Sequence, residues 1–275
     1  MEMKDRINTY YPSLTKSEQK VAACVLEHSD DLIYYSVTEL AEFVGIGEAT
    51  VMRFCRKIGF KGYQDFKLAL AQDQTGRRHA SAGTGGDEDV PGMVFDTMMN
   101  ILQSSMGLLD RERLEQAVHA LDQALYVQFF GVGASGITAM DAKNRFLRIG
   151  RRAEAVADSH IQSMMAVTMG AGDVAFGISV SGSTLDTNDM LMKAKQNGAT
   201  IIAITNYAKS PITAIADIVL LTAGKETPLE GGSIGAKLSQ LFIIDLICES
   251  LARRHSDRTK VMKEKTARAV IDRIY

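Results

Sequence analysis

The spacing of apolar positions changes character along the chain. Between residues 14 and 71 they recur at helical intervals: "LTKSEQKVAACVLEH" sets Val21, Val25 and Leu26 on one face, and "EATVMRFCRKIG" does the same with Val51, Phe54, Cys55 and Ile58. From about residue 125 they gather instead into short runs, "LYVQFF" (125–130), "RAEAVA" (152–157), "DVAFGISV" (173–180), "TIIAIT" (from 200) and "DIVLLT" (217–222), with amphipathic stretches between most of them. Short apolar strands alternating with helices predict a doubly wound α/β domain with a parallel five-stranded sheet. The segment "QDQTGRRHASAGTGGDEDVPG" (72–92) is rich in Gly, Ala, Ser and Asp, has no period, and reads as a linker. The expected organisation is an all-α domain over 1–75, a linker over 76–92, an α/β domain with a leading helix over 93–255, and a basic helix or tail over 256–275.

Within the all-α part, two capping-box spacings mark helix starts, Thr15 with Glu18 and Ser36 with Glu39. The second opens a short helix carrying Leu40, Ala41 and Phe43. The segment "VGIG" (44–47) then turns the chain, and the next helix ends at Gly59. Helix, tight turn, helix is the arrangement that presents a second helix to the DNA major groove. With Val51, Phe54, Cys55 and Ile58 inward, the opposite side offers Glu48, Thr50, Arg53, Arg56 and Lys57, followed by Lys61. Arginines suit phosphate or guanine, and a threonine suits a phosphate or a thymine methyl.

Charge refines this picture. The net charge of -2 over 275 residues excludes a uniformly basic nucleic-acid binder, and residues 1–75 hold nine Lys and Arg against eleven Asp and Glu. From Val51 to Lys67, however, Arg53, Arg56, Lys57, Lys61 and Lys67 face Asp65 alone. Cys24, Cys55 and Cys248 are widely spaced and odd in number, which predicts packing residues rather than a disulfide framework or a metal site. No cofactor is expected. The longest apolar runs fall short of the ~20 residues of a membrane helix, and the N-terminus lacks a signal-peptide core, so a cytoplasmic protein is expected.

Two strand ends are suited to an anion. In "FFGVGASGITAM", Gly131, Gly133 and Gly136 fit GxGxxG, with Glu154 near the distance of a ribose-binding acid, which raises a dinucleotide site. In "GISVSGSTLDT" (177–187), Ser179, Ser181, Ser183 and Thr184 surround Gly182 just before a helix. A dinucleotide fingerprint does not call for that second cluster. Hydroxyls and backbone N–H groups at a helix start can hold a phosphate, and the absence of GxxxxGK[ST] sets the loop apart from a nucleotide P-loop.

The stretch "SVTELAEFVGIGEATVMRFCRKIGFKGYQDFKLALA" (36–71) resembles the DNA-binding domain of the RpiR family of bacterial transcriptional regulators, in which a helix-turn-helix precedes a sugar isomerase (SIS) domain. Gly47 stands where that family often has a capping Ser. From roughly 110 to 250, "GVGASG", "DSH", "ISVSGSTLDT", "GATIIAITN", "SPITAIADIVLLT" and "ETPL" resemble SIS regulators. The resemblance implies that Ser135, Ser179, Ser181 and Thr184 bind a phosphosugar, with Ser183 a weaker member. It offers His160 and Lys237 for the sugar hydroxyls or substituent and Glu226 at the family's acidic position. Glu230 replaces a commonly basic residue, and "GAKLSQ" departs from a frequent "SSRIAQ". The implied function is a repressor of a sugar or amino-sugar catabolic operon, its effector an N-acylhexosamine 6-phosphate. A homodimer or dimer of dimers on a palindromic operator is expected, with no membrane partner. The tail, with eight basic and three acidic residues over 253–275 and a stripe of Val261, Ala269, Val270 and Ile274, either packs on a partner or is an ordinary solvated last helix. The alternative is a sugar-phosphate isomerase, for which Glu226, His160 and His255 are the available acid–base groups.

Overall fold

The computed structural model describes residues 3–81, 89–224, 226–229, 231–232 and 234–271. The chain divides into two compact units, Met1–Phe95 with Lys225–Ser233, and Asp96–Gly224 with Ile234–Tyr275.

The first unit is helical: α1 (Met3–Tyr10), α2 (Lys16–Leu32), α3 (Val37–Val44), α4 (Glu48–Lys57) and α5 (Tyr63–Ser81). Both predicted capping boxes form, Thr15 with Glu18 at α2 and Ser36 with Glu39 at α3. Gly45, at φ 72°, closes α3 in the left-handed conformation that glycine adopts at little steric cost. Val21, Ala22, Val25, Leu40, Val51, Phe54, Cys55, Ile58 and Phe66 join in one core. Leu26 does not: it is 40% exposed, because Ala22 and Val25 already fill the inward face of α2. Phe43 is likewise exposed and meets the His28 and Tyr35 rings edge-on. α5 continues through Ser81, into the stretch read as a linker. Residues 82–88 lie outside the described residues, and α6 (Val90–Leu108) begins just beyond them.

The second unit holds five parallel strands in the order β2-β1-β3-β4-β5, namely β1 (Tyr126–Phe130), β2 (Ala153–Glu154), β3 (Asp173–Ile178), β4 (Thr200–Thr205) and β5 (Ile218–Leu221). Helices cover both faces, which is why the central strands read as unbroken apolar runs. Phe129 and Phe176 point into one layer with α7 (Arg111–Gln123), α8 (Gly133–Arg148) and α12 (Ile234–Arg254). Phe130 and Ala175 point into the other with α9 (Ser159–Thr168), α10 (Leu185–Gln196) and α11 (Pro211–Ile215). α13 (Ser256–Arg268) follows α12. β2 is shorter than the 152–157 run suggested, since this edge strand registers with β1 only at Ala153 and Glu154. The three cysteines are free and buried, and burial pushes the Cys55 and Cys248 thiols up to about 12, as suits packing residues. Among the described residues no helix is long and apolar enough to cross a membrane.

Candidate nucleic-acid interface and anion site

In the first unit, α3 and α4 with the turn at Gly45 form the helix-turn-helix. α4 buries Val51, Phe54 and Cys55, with Ile58 at its C-cap also buried. Its outward surface carries Glu48, Ala49, Arg53 and Arg56. Arg53 Nη2 donates to Thr50 Oγ1 at 2.8 Å, and Thr38 on α3 donates to Glu48 Oε1 at 2.5 Å, so side chains at the start of α4 are held in place. Gly47 caps α4 with extended backbone and no side-chain hydrogen bond. That leaves first-turn N–H groups without a side-chain acceptor at a helix end where a phosphate oxygen is a natural partner.

Two predicted cations are already engaged. Lys57 Nζ donates to the buried Glu18 Oε2 at 3.1 Å, pinning α4 to α2. Lys67 is buried, its ammonium donating to Tyr35 O at 2.8 Å. Lys61 is exposed, and its backbone N–H donates to Asp65 at 2.8 Å. The outward position of Ala49 escaped a reading led by charge. Its methyl lies on the same helix face as Arg53, and only the apolar period of α4 announced it.

In the second unit the strand order reverses direction between β1 and β3, the switch point where doubly wound sheets bind ligands at their carboxyl ends. Both loops singled out in the sequence leave the sheet there. The β1 loop packs tightly: a Cβ on Gly131 would meet Ser135 O at 2.9 Å, one on Gly136 would meet Gly131 O at 3.0 Å, and Gly133 has φ 57°. These close approaches account for the glycine spacing without a dinucleotide. Glu154, the acid that a dinucleotide would require, is engaged by Lys143 in an ion pair. Burial disfavours the Glu154 carboxylate, but Lys143 and the Ala155 N–H outweigh it and hold its pKa below the ordinary value.

The β3 loop is braced from several sides. Ser179 Oγ lies 3.0 Å from Thr184 Oγ1, and the Ser183 N–H donates to Ser181 Oγ at 3.2 Å. Gly182 O accepts from the Ile212 N–H at 2.9 Å and from Asn188 Nδ2 at 3.2 Å. Thr205 Oγ1 and the Asn206 N–H both donate to Val180 O. Neither α8 nor α10 has a side-chain cap, whereas Asp110 caps α7 and Asp158 caps α9. Two uncapped helix starts, each with about half a positive charge, thus flank the switch point beside four hydroxyls.

The remaining candidates are distributed around these loops. His160 is exposed in the first turn of α9, next to Gln162, whose Nε2 donates to Gly131 O at 3.1 Å and to Val156 O at 2.8 Å. Lys237 is half-buried on α12, one turn before Gln240, which reaches Ser135. Glu226 belongs to the 225–233 segment grouped with the first unit, where its carboxylate accepts from the Gly232 N–H at 3.2 Å. Glu230 and Ile274 lie outside the described residues. His255 Nε2 lies 2.8 Å from Asp122 Oδ1 at the far end of α12, ~22 Å along the helix from Gln240 at 1.5 Å per residue. It is remote from the strand ends. Asn188, which bonds Gly182, Ser210, which packs against Gly182, and Gln240, which bonds Ser135, went unseen because their partners are distant or unremarkable in sequence.

A helix-turn-helix in one chain with a doubly wound parallel α/β sheet is the architecture of a transcriptional regulator. Residues 1–76 match the helix-turn-helix domain of the rpiR family, and residues 121–250 match the SIS domain. The chain is 38% identical to an uncharacterized HTH-type transcriptional regulator of Haemophilus influenzae, over 98% of this chain and 96% of that protein. It is 31% identical to the HTH-type transcriptional regulator HexR of Escherichia coli, over 99% and 97% of the respective chains. The structure of the Vibrio vulnificus NanR protein complexed with ManNAc-6P superposes with a TM-score of 0.90 at 31% identity, covering 98% of both chains. The chain belongs to the RpiR family of helix-turn-helix transcriptional regulators that carry a SIS domain.

Proposed function

We propose that this regulator represses a sugar or amino-sugar catabolic operon, and that a phosphosugar bound at the β1/β3 switch point modulates its hold on the operator. The observation that carries the reading is the pair of uncapped helix starts, α8 after β1 and α10 after β3, the second preceded by the Ser179–Thr184 hydroxyl pair. Ser135, Ser179, Ser181 and Thr184 take the phosphate, with Ser183 secondary, and His160 and Lys237 face the sugar. Glu226 is assigned to the same ligand by the family pattern alone. The effector is an N-acylhexosamine 6-phosphate, a reading supported by the likeness to NanR, whose structure holds ManNAc-6P. Glu48, Thr50, Arg53, Arg56 and Lys61 contact DNA. Lys57 acts from behind, through Glu18.

The protein senses its ligand rather than converting it. The attached helix-turn-helix supports sensing, and against it stand only His160 and Glu226 as acid–base groups assigned to the ligand. Two copies bind one palindromic operator, as helix-turn-helix proteins commonly do. A thermal-shift panel of phosphorylated and free sugars tests the site. A ligand at 100 times its Kd stabilises by ~2.7 kcal/mol, so ManNAc-6P at millimolar concentration raises the melting temperature while ManNAc does not. Equal responses to both would count against the phosphate site, and turnover of an aldose phosphate that Glu226→Gln abolishes would favour the isomerase.

A further inference from the structure

Ser135 is one end of a short polar chain that runs through the interior. Gln240 Nε2 donates to Ser135 Oγ at 3.4 Å, and Gln240 Oε1 accepts from Thr138 Oγ1 at 2.9 Å. Ser135 and Thr138 sit on the first turns of α8, and Gln240 comes from α12, more than a hundred residues away. Gln240 is 1%, Thr138 2% and Ser135 8% exposed, so water does not compete strongly for these bonds.

The chain has a direction. An amide has a donor end and an acceptor end, and a hydroxyl has one proton and two lone pairs. Thr138 fixes the acceptor end of Gln240 by donating to it, which turns the amide N–H toward Ser135. With one lone pair occupied by that N–H, the Ser135 proton is left for an outside acceptor. A bound anion offers acceptors only, so a hydroxyl set to donate matches it, and one turned the other way meets it with a lone pair.

We infer that Gln240 is a positioning residue of the effector site: the Thr138–Gln240–Ser135 chain fixes the Ser135 hydroxyl as a donor toward the ligand. The inference rests on the reading of Ser135 as an effector-binding group. It adds a constraint on the effector, whose atom opposite Ser135 is an acceptor such as a phosphate or carbonyl oxygen and not an ammonium. A purely structural Gln240, pinning α12 to α8, would affect stability and either leave ligand affinity unchanged or alter it by the same factor with and without the Ser135 hydroxyl.

The test is a double-mutant cycle by isothermal titration with ManNAc-6P on the full chain, comparing wild type, Thr138→Val, Gln240→Met, Ser135→Ala and the two double variants. Thr138→Val and Gln240→Met each raise Kd by about fivefold, the scale of one neutral hydrogen bond. Combined with Ser135→Ala, neither raises Kd further by more than the error of the titration. The same factor with and without Ser135→Ala, or no change in either, overturns the inference. Should Gln240→Met fail to fold, Thr138→Val carries the cycle. Should Ser135→Ala abolish measurable binding, the ligand-induced melting shift of Thr138→Val decides: a shift equal to that of wild type overturns the inference. A wild type that binds no phosphosugar of the panel removes the reading of the site itself, and this inference with it. Wild-type binding that Ser135→Ala leaves unchanged removes the inference and spares the site.

Discussion

Gly182 shows how much one residue can decide. Its φ of 61° favours glycine, and a Cβ there would meet Ser210 Oγ at 2.2 Å and Ile212 Cγ2 at 2.9 Å. Gly182→Ala therefore strains the backbone and pushes the serine loop off α11. A loss of about 1–3 kcal/mol in thermal stability and at least tenfold weaker ManNAc-6P binding are expected, by melting and titration. On the DNA side, Arg53→Ala and Arg56→Ala test the outward face of α4. A phosphate-contacting arginine lowers the salt slope of binding by about one when removed, and a base-contacting one relaxes specificity at one position by ~1–3 kcal/mol. Unchanged affinity and slope in both variants would remove α4 from the DNA surface. The serines and arginines were legible in sequence because their types announce their chemistry next to a helix start. Asn188, Ser210 and Gln240 were not, since amides and a lone serine carry no such mark until folding sets them against Gly182 and Ser135.

At the scale of elements, local signals predicted what local physics controls. Both capping boxes formed where Thr15 with Glu18 and Ser36 with Glu39 stood at the right spacing, and all five apolar runs became strands. The errors arose where partners outside the element decide. Leu26 lost its place in the core to Ala22, β2 kept only the two residues that β1 could pair, and α5 ran on through a composition typical of loops. Glu18 belongs here too, for it closes the α2 cap and also holds Lys57 of α4. Burial opposes its ionisation, yet the Thr15 N–H and Lys57 prevail and set its pKa below the ordinary value. A carboxyl with a lowered folded pKa stabilises above its unfolded value, about 4.3 for glutamate, and that stability is lost as pH falls through the folded value. Glu18→Gln should therefore cost about 1–3 kcal/mol near pH 7, as expected for a disrupted buried charged hydrogen bond. The gap between the melting curves of wild type and variant should narrow as pH falls below about 4.3, the unfolded value, and a gap that stays constant under further acidification would show that the charge contributes nothing.

At the scale of the whole molecule, the change from helical to strand spacing marked a helical part followed by a strand-bearing one. What it could not carry is how one unit informs the other, because coupling is a difference between states rather than a property of any segment. Two DNA-reading heads on half-sites ~34 Å apart require self-association. Gel filtration coupled to light scattering at micromolar concentration should report a dimer or a dimer of dimers, and a monomer would contradict that expectation. If a phosphosugar regulates this protein, phosphosugar and operator binding are linked. The most direct measurement is fluorescence anisotropy of an operator duplex, selected from random DNA by this protein, titrated at fixed salt with and without saturating ManNAc-6P. The expected result is an operator Kd changed at least fivefold, about 1 kcal/mol of coupling, with the ManNAc-6P Kd changed by the same factor when operator is present. An operator Kd that stays the same while ManNAc-6P is demonstrably bound would contradict it.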